Sequence, residues 1–195
     1  YRLIENGKVV ANCHKQPQRL FRKELLCVEH ITKRYVELLR EALSQKQVIF
    51  TISPVRHLGD GLEQNSLSKA ILRVAIETIC QNCSNAQYFP SYEIVMDELR
   101  DYRFYAEDMA HPSPVAVNYI WERFSEVAFS QEQRELIARI EHIKRASEHR
   151  PFNPQSDSHR KFCNKMKGEI ESLCKAHPYL DLSKETEEFN RWSIY

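Results

Sequence analysis

"VIFTIS", residues 48–53, is a short unbroken apolar run closed by Pro54. Such a run suits a strand buried on both faces, as in a parallel sheet covered by helices on either side. Proline has no N–H for the next rung of the ladder, so the strand ends there. Upstream, Leu25, Val28, Ile31, Tyr35, Leu38 and Leu39 recur at helical spacing over about residues 23–45. Downstream, "SLSKAILRVAIETIC", residues 66–80, is amphipathic with Asn65 as its candidate N-cap, and "AQYFPS", residues 86–91, reads as a second short strand. Helix, strand, helix, strand is the rhythm of an α/β sheet with right-handed crossovers.

A strand as apolar as "VIFTI" wants a neighbour on each side. The chain offers one further parallel strand and, in "YRLIENGKVVAN" (residues 1–12), a hairpin with a type I′ turn at Asn6-Gly7. The expectation is therefore a sheet that is N-terminally incomplete, with more strands before Tyr1. Past Ser113-Pro114, an N-cap and first-turn pair, a helix is expected to about Ala128. Ser130 caps another, in which Leu136, Ile137, Ile140 and Ile143 share a face; "RPFNPQSDS" (residues 150–158) interrupts, and Phe162, Met166, Ile170 and Leu173 stripe a last helix. The division expected is an α/β domain over residues 1–128 and a helical extension over 129–195, formed as an antiparallel hairpin.

Composition narrows the function. Lys and Arg total 28 against 27 for Asp and Glu, and the basic residues are scattered, so no nucleic-acid surface is indicated. Four glycines leave no phosphate-cradling loop. No apolar run is long enough to span a membrane. Cysteines at 13, 27, 80, 83, 163 and 174 read as free thiols in a reducing compartment, which points to the cytoplasm. Cys80 and Cys83 form a C-x-x-C with no second pair, so packing at a helix end is favoured over zinc or redox work. No metal site and no organic cofactor are expected.

In open α/β sheets, functional groups gather in the loops at the carboxyl ends of strands. Two stretches occupy that position: "SPVRHLGDGLEQN" (residues 53–65) and "YAEDMAHPSP" (residues 105–114). In the second, Asp108 stands three residues before His111. A carboxylate there can hold Nδ1–H of the imidazole and leave Nε2 outward as a general base. The plainer reading is that Asp108 caps the turn and His111 is a solvated histidine before proline. Ser53 is a poor nucleophile, because Pro54 has no amide to give an oxyanion hole. Cys13 and His14 are adjacent and point to opposite faces in extended chain. Asn12 can donate to an oxyanion, or satisfy a turn. Arg56 and His57 are candidates to bind an anionic or polar substrate group, although Arg56 pairing with Asp60 or Glu63 is the competing expectation.

"FTISPVRHLGDGLEQNSLSKAIL" (residues 50–72) and "YFPSYEIVMDELRDYRFYAEDMAHPSPVAVNYIWERF" (residues 88–124) closely resemble the GSCFA-domain family, bacterial proteins allied to SGNH/GDSL-type hydrolases. The resemblance covers about residues 1–128. It implies a three-layer α/β/α, flavodoxin-like parallel sheet and a serine that attacks an acyl carbonyl. By this resemblance Asp108 and His111 are the D-x-x-H pair, the first orienting and the second acting as base. Asn12 is the candidate oxyanion-hole asparagine and Asn65 the runner-up. The Gly-Ser-Cys-Phe-Ala stretch that carries the family's serine is missing, as is the glycine block, and both are expected upstream of Tyr1. The function implied is a serine ester or acyl hydrolase acting on a small-molecule or glycan acyl ester, with this chain inactive alone. The alternative is a non-catalytic binding or oligomerisation module in which the C-terminal helices form a homodimer.

Overall fold

A computed structural model describes residues 1–10 and 16–191. Arg2–Leu3 (β1) pairs antiparallel with Phe21–Arg22 (β2). The chain leaving β1 turns at Gly7, whose φ of 68° is open to a residue without Cβ. Type I′ needs positive φ at both central positions, and Asn6 does not supply it. Instead Leu3 N–H donates to the Lys8 carbonyl (2.9 Å), enclosing a longer loop, and Asn6 Oδ1 accepts from Lys8 N–H (3.0 Å). The short polar side chain competes with the ladder, which is why the two-residue turn expected from Asn6-Gly7 does not form.

Val28–Arg40 (α1), Val48–Thr51 (β3), Gly61–Asn82 (α2) and Ala86–Phe89 (β4) follow. β3 and β4 run parallel, with Val48 opposite Ala86 and Thr51 opposite Phe89. Partners in a rung share a face. On one face Val48, Phe50 and Ala86 meet Leu39 of α1 and Ile79 and Cys83 at the end of α2, with Tyr35 edge-on to Phe50 at 5.5 Å. On the other, Phe89 meets Phe124 of Pro114–Ala128 (α4) edge-on at 5.1 Å. The parallel pairing agrees with the sequence, but burial on both faces does not. Ile49 is 39% exposed, because among the described residues this sheet has two strands and no helix closes over that position. The architecture is thus mixed α/β.

Boundaries also differ. α1 stops at Arg40, not near residue 45, because the Asn85 carboxamide reaches across to the carbonyls of Leu43 (3.0 Å) and Lys46 (3.1 Å) and holds a turn there. α2 begins at Gly61, so Asn65 lies inside it and is not its cap. Ser91–Glu93 (α3) opens a helical segment that widens into a π-helical turn over Ile94–Leu99 and ends at Arg100, φ 38°. The sequence reading had no element there.

The chain divides into one unit over residues 1–124 and another over 125–195. The second contains Gln131–Glu148 (α5), Asp157–Ala176 (α6) and Ser183–Arg191 (α7). Ser130 and Gln133 exchange side-chain and backbone bonds in a capping box, and Ser156 accepts from His159 N–H at the start of α6. The expected two-helix hairpin is a three-helix unit. Ile143 from α5, Met166, Ile170 and Leu173 from α6, and Phe189 from α7 are all buried together. The third helix is not legible in the sequence because "SKETEEFNR" carries a single large apolar residue. No helix among the described residues is long and apolar enough to cross a membrane.

Phe189 is 2% exposed. Phe189→Ala is expected to destabilise the C-terminal unit by about 3–5 kcal/mol, read as a lower urea midpoint and lost amide-exchange protection across α5–α7. Val127→Ala, at an exposed position, should stay within about 0.5 kcal/mol of the parent.

Candidate functional site

The segment between α3 and α4 folds back on itself. Ala106 N–H donates to the His111 carbonyl (2.8 Å), Met109 N–H to the Ala106 carbonyl (2.9 Å), and Ser113 N–H to the Phe104 carbonyl (2.7 Å). Met109 takes a left-handed φ of 57°, a conformation that costs a residue with Cβ roughly 1–2 kcal/mol. Beyond this bend, the amides of Ala110 and His111 both turn toward Asp108. Its Oδ1 accepts from Ala110 N–H (2.9 Å) and His111 N–H (3.0 Å), and its Oδ2 lies 2.6 Å from His111 Nδ1.

One carboxylate therefore holds both the backbone and the ring of the same histidine. The amides of His111 and Ala110, and then the imidazole, pull the Asp108 carboxyl down to about 2. At neutral pH it is ionised and can only accept, so Nδ1 carries the hydrogen and Nε2 of the neutral ring is an acceptor. The two readings of the sequence are not exclusive: Asp108 caps the turn and orients His111 at once. Both side chains are largely exposed. Among the described residues no hydroxyl or thiol lies within hydrogen-bond distance of the ring.

The loop after β3 braces this turn. Arg56 N–H donates to the Ala110 carbonyl (3.0 Å), and Arg56 Nη1 to the Met109 carbonyl (3.2 Å). Its guanidinium lies 4.1 Å from the centre of the Tyr105 ring. The expected pairing with Asp60 or Glu63 is not made; Asp60 is bonded by Lys23. His57 is exposed, and its N–H donates to Asn65 Oδ1 (3.0 Å). Asn65 keeps its Nδ2 hydrogens uncommitted among the described residues. Asn12, with Cys13 and His14, lies outside the described residues. Ser53 Oγ accepts from Val55 N–H (3.2 Å), a local turn bond.

Two supporting residues were missed from the sequence. Lys69 is only 5% exposed, yet its Nζ donates to the carbonyls of Ser53 (2.5 Å) and Val55 (3.0 Å), and burial pushes its pKa down. The signal was present: Lys69 stands seven residues before Ile76, on the buried stripe of α2. Ser91, also buried, donates to the Ile52 carbonyl (2.8 Å) and lies 2.5 Å from Thr51 Oγ1. It ties the ends of the two strands together. Beside the turn lies a cleft of about 690 Å³, walled by Thr51, Phe89, Ser91, His111, Trp121 and Phe124.

The C-x-x-C pair sits elsewhere, at the end of α2, where Cys83 joins the apolar cluster and burial pushes the Cys80 thiol up. The five described cysteines are free. Among the described residues no group of three or more His, Cys, Asp or Glu side chains is arranged to hold a metal ion.

A family model described as the GSCFA family matches residues 1–124, and one described as the GSCFA domain protein, C-terminal domain, matches residues 140–192. No curated protein and no solved structure matches the chain.

Two measurements check the geometry. Asp108 titrates below its ordinary 3.8, so its ionised form is the one that holds the turn. That contribution is complete above 3.8 and lost as pH falls through about 2, so a carbon-detected NMR titration should give a midpoint near 2; a midpoint near 3.8 would contradict the bonding described. Lys69→Met should orphan two carbonyls and cost about 1–3 kcal/mol in denaturant unfolding.

Proposed function

The chain belongs to the GSCFA family, and from that premise we propose that it carries the acid–base part of a serine acyl hydrolase site of SGNH type. The observation that carries the reading is the 2.6 Å contact of Asp108 Oδ2 with His111 Nδ1, on a carboxylate already fixed by two backbone amides.

In this reading the nucleophile is a serine upstream of Tyr1, in the Gly-Ser-Cys-Phe-Ala block that the residues here do not include. His111 Nε2 takes the serine proton as Oγ attacks the acyl carbonyl. Asp108 then faces an imidazolium, whose charge it stabilises without moving. His111 returns the proton to the departing alcohol, and the same base activates water to release the acyl group. The serine's own amide and an asparagine meet the oxyanion, Asn12 in the first instance and Asn65 in the second. Asn65 has in its favour an oxygen pinned by the His57 amide, which fixes the plane of its donor group.

The fold that goes with this reading is the three-layer α/β/α sheet, with further strands beside β3 and β4. The substrate is a small-molecule or glycan acyl ester, and the cleft at His111 suits the apolar part of its acyl group. No metal or organic cofactor is needed for the chemistry. Arg56 is a positioning residue in this scheme, since its guanidinium is engaged by the Met109 carbonyl and the Tyr105 ring. His57 remains the better candidate for touching substrate. An assembly module built on the C-terminal helices has less in its favour, because those helices bury their apolar stripes against one another.

The test uses the complete gene product. A fluorophosphonate probe should label a serine, and His111→Ala should abolish both labelling and ester cleavage with the circular dichroism unchanged. Asp108→Asn should lower turnover by about 10³–10⁴-fold while leaving the serine in place. Full turnover in His111→Ala would remove the assignment.

A further inference from the structure

The C-terminal unit contains a cavity of about 690 Å³ between the end of α5 and the start of α6. Arg145, His142, His149 and His159 line it, together with Phe152 and Phe162, and none of its lining residues is acidic. Its volume falls in the range of roughly 300–1,000 Å³ common to small-molecule sites.

Two features of this lining call for a ligand. The first is donor capacity without a counter-charge. Arg139, Arg160 and Arg191 of the same unit each have a carboxylate within ion-pair distance, whereas Arg134, Arg145 and Arg150 have none among the described residues. Arg145 has only a 3.4 Å contact from Nε to the Glu141 carbonyl, and no ion-pair partner among the described residues. Asp157, at the first position of α6, pairs with Arg160 at 3.5 Å and does not line the cavity. An imidazole keeps at least one N–H donor in either protonation state, so Arg145, His142 and His149 bring donors to a lining without an acid, while His159 Nε2 lies 3.4 Å from Cys163 Sγ. The second feature is aromatic. Phe152 is fully exposed beside the cavity, and Phe162 stacks with His159 at 6.1 Å between ring centres.

We propose that this cavity binds a small organic phosphate monoester that carries a planar ring. A phosphate presents three strong acceptor oxygens, which matches several converging donors better than a carboxylate's two. Arg145 grips the phosphate in the bidentate manner that a guanidinium allows, and the imidazoles of His142 and His149 take the remaining oxygen. The ring of the ligand covers Phe152 and Phe162, taking exposed apolar area out of water. The site is independent of Asp108 and His111 and does not rest on the hydrolase reading.

Isothermal titration of the whole chain at low ionic strength, with phenyl phosphate, inorganic phosphate and benzoate as probes, tests it. Saturable one-to-one binding of phenyl phosphate is expected, about fivefold to tenfold tighter than inorganic phosphate, with benzoate weaker than phenyl phosphate. Arg145→Ala should weaken phenyl phosphate at least about tenfold. Phe152→Ala should erase the preference for phenyl phosphate over inorganic phosphate. Arg139→Ala, on the same helix but paired with Glu169, should bind as the parent does. Circular dichroism checks that each variant folds. No saturable binding at millimolar phenyl phosphate, or unchanged binding by folded Arg145→Ala, overturns the proposal. Equal binding of phenyl and inorganic phosphate overturns the ring's part in it.

Discussion

The parallel pairing of Val48–Thr51 with Ala86–Phe89 is the constraint on which the candidate site depends. Parallel strands end on the same side, so the segments leaving them start as neighbours although they are about forty residues apart in the chain. Each then has to satisfy its own irregular backbone. The loop after Thr51 does so through Lys69, which serves two of its carbonyls, and through Ser91, which takes a third from the neighbouring strand's end. A lysine buried at the edge of an apolar stripe is costly unless its hydrogens are used, and here they meet carbonyls that would otherwise be stranded. The same group thus removes two penalties at once.

With the first loop fixed, the second has something to lean on. Arg56 meets the Asp108–His111 turn by its backbone at Ala110 and by its guanidinium at Met109, while Tyr105 covers the face of that guanidinium. Met109 can then stay in a left-handed conformation that a free loop would relax. That conformation brings two amides onto one carboxylate oxygen and leaves the other for the imidazole. Orientation of His111 is in this way passed down from sheet to loop to turn by hydrogen bonds to backbone, and from turn to ring by the Asp108 carboxylate. A base held by such a series spends little entropy on alignment when a proton arrives, which is the physical merit of the arrangement for the proposed hydrolase.

The C-terminal unit is organised differently. Its three helices share one apolar cluster built from Ile143, Met166, Ile170, Leu173 and Phe189, and their polar faces carry ion pairs such as Arg139–Glu169, Arg160–Asp157 and Arg191–Glu188. The lining of the cavity around Arg145 includes no acidic residue. Where a core is satisfied internally, the surface is left to vary, and a group of donors without an acid is a feature that packing does not require.

Periodicity and proline placement in the sequence determined that strands lie within residues 48–53 and 86–91, that helices flank them, and that Ser130 starts a helix, since these depend on contacts within a few residues. The resemblance in residues 50–124 marked Asp108 and His111 as a pair. Three-residue spacing allowed cap and relay alike, and only the fold showed one carboxylate serving both. Tertiary contacts also decided what local pattern could not. Asn85 ended α1 from forty residues away, and Arg56 found Met109 instead of the nearer Asp60 or Glu63. α7 became a helix worth having only when Phe189 reached a core formed by α5 and α6. The physical reason is common to all three: each contact joins segments far apart in the chain, and the sequence alone does not say which distant segments will meet.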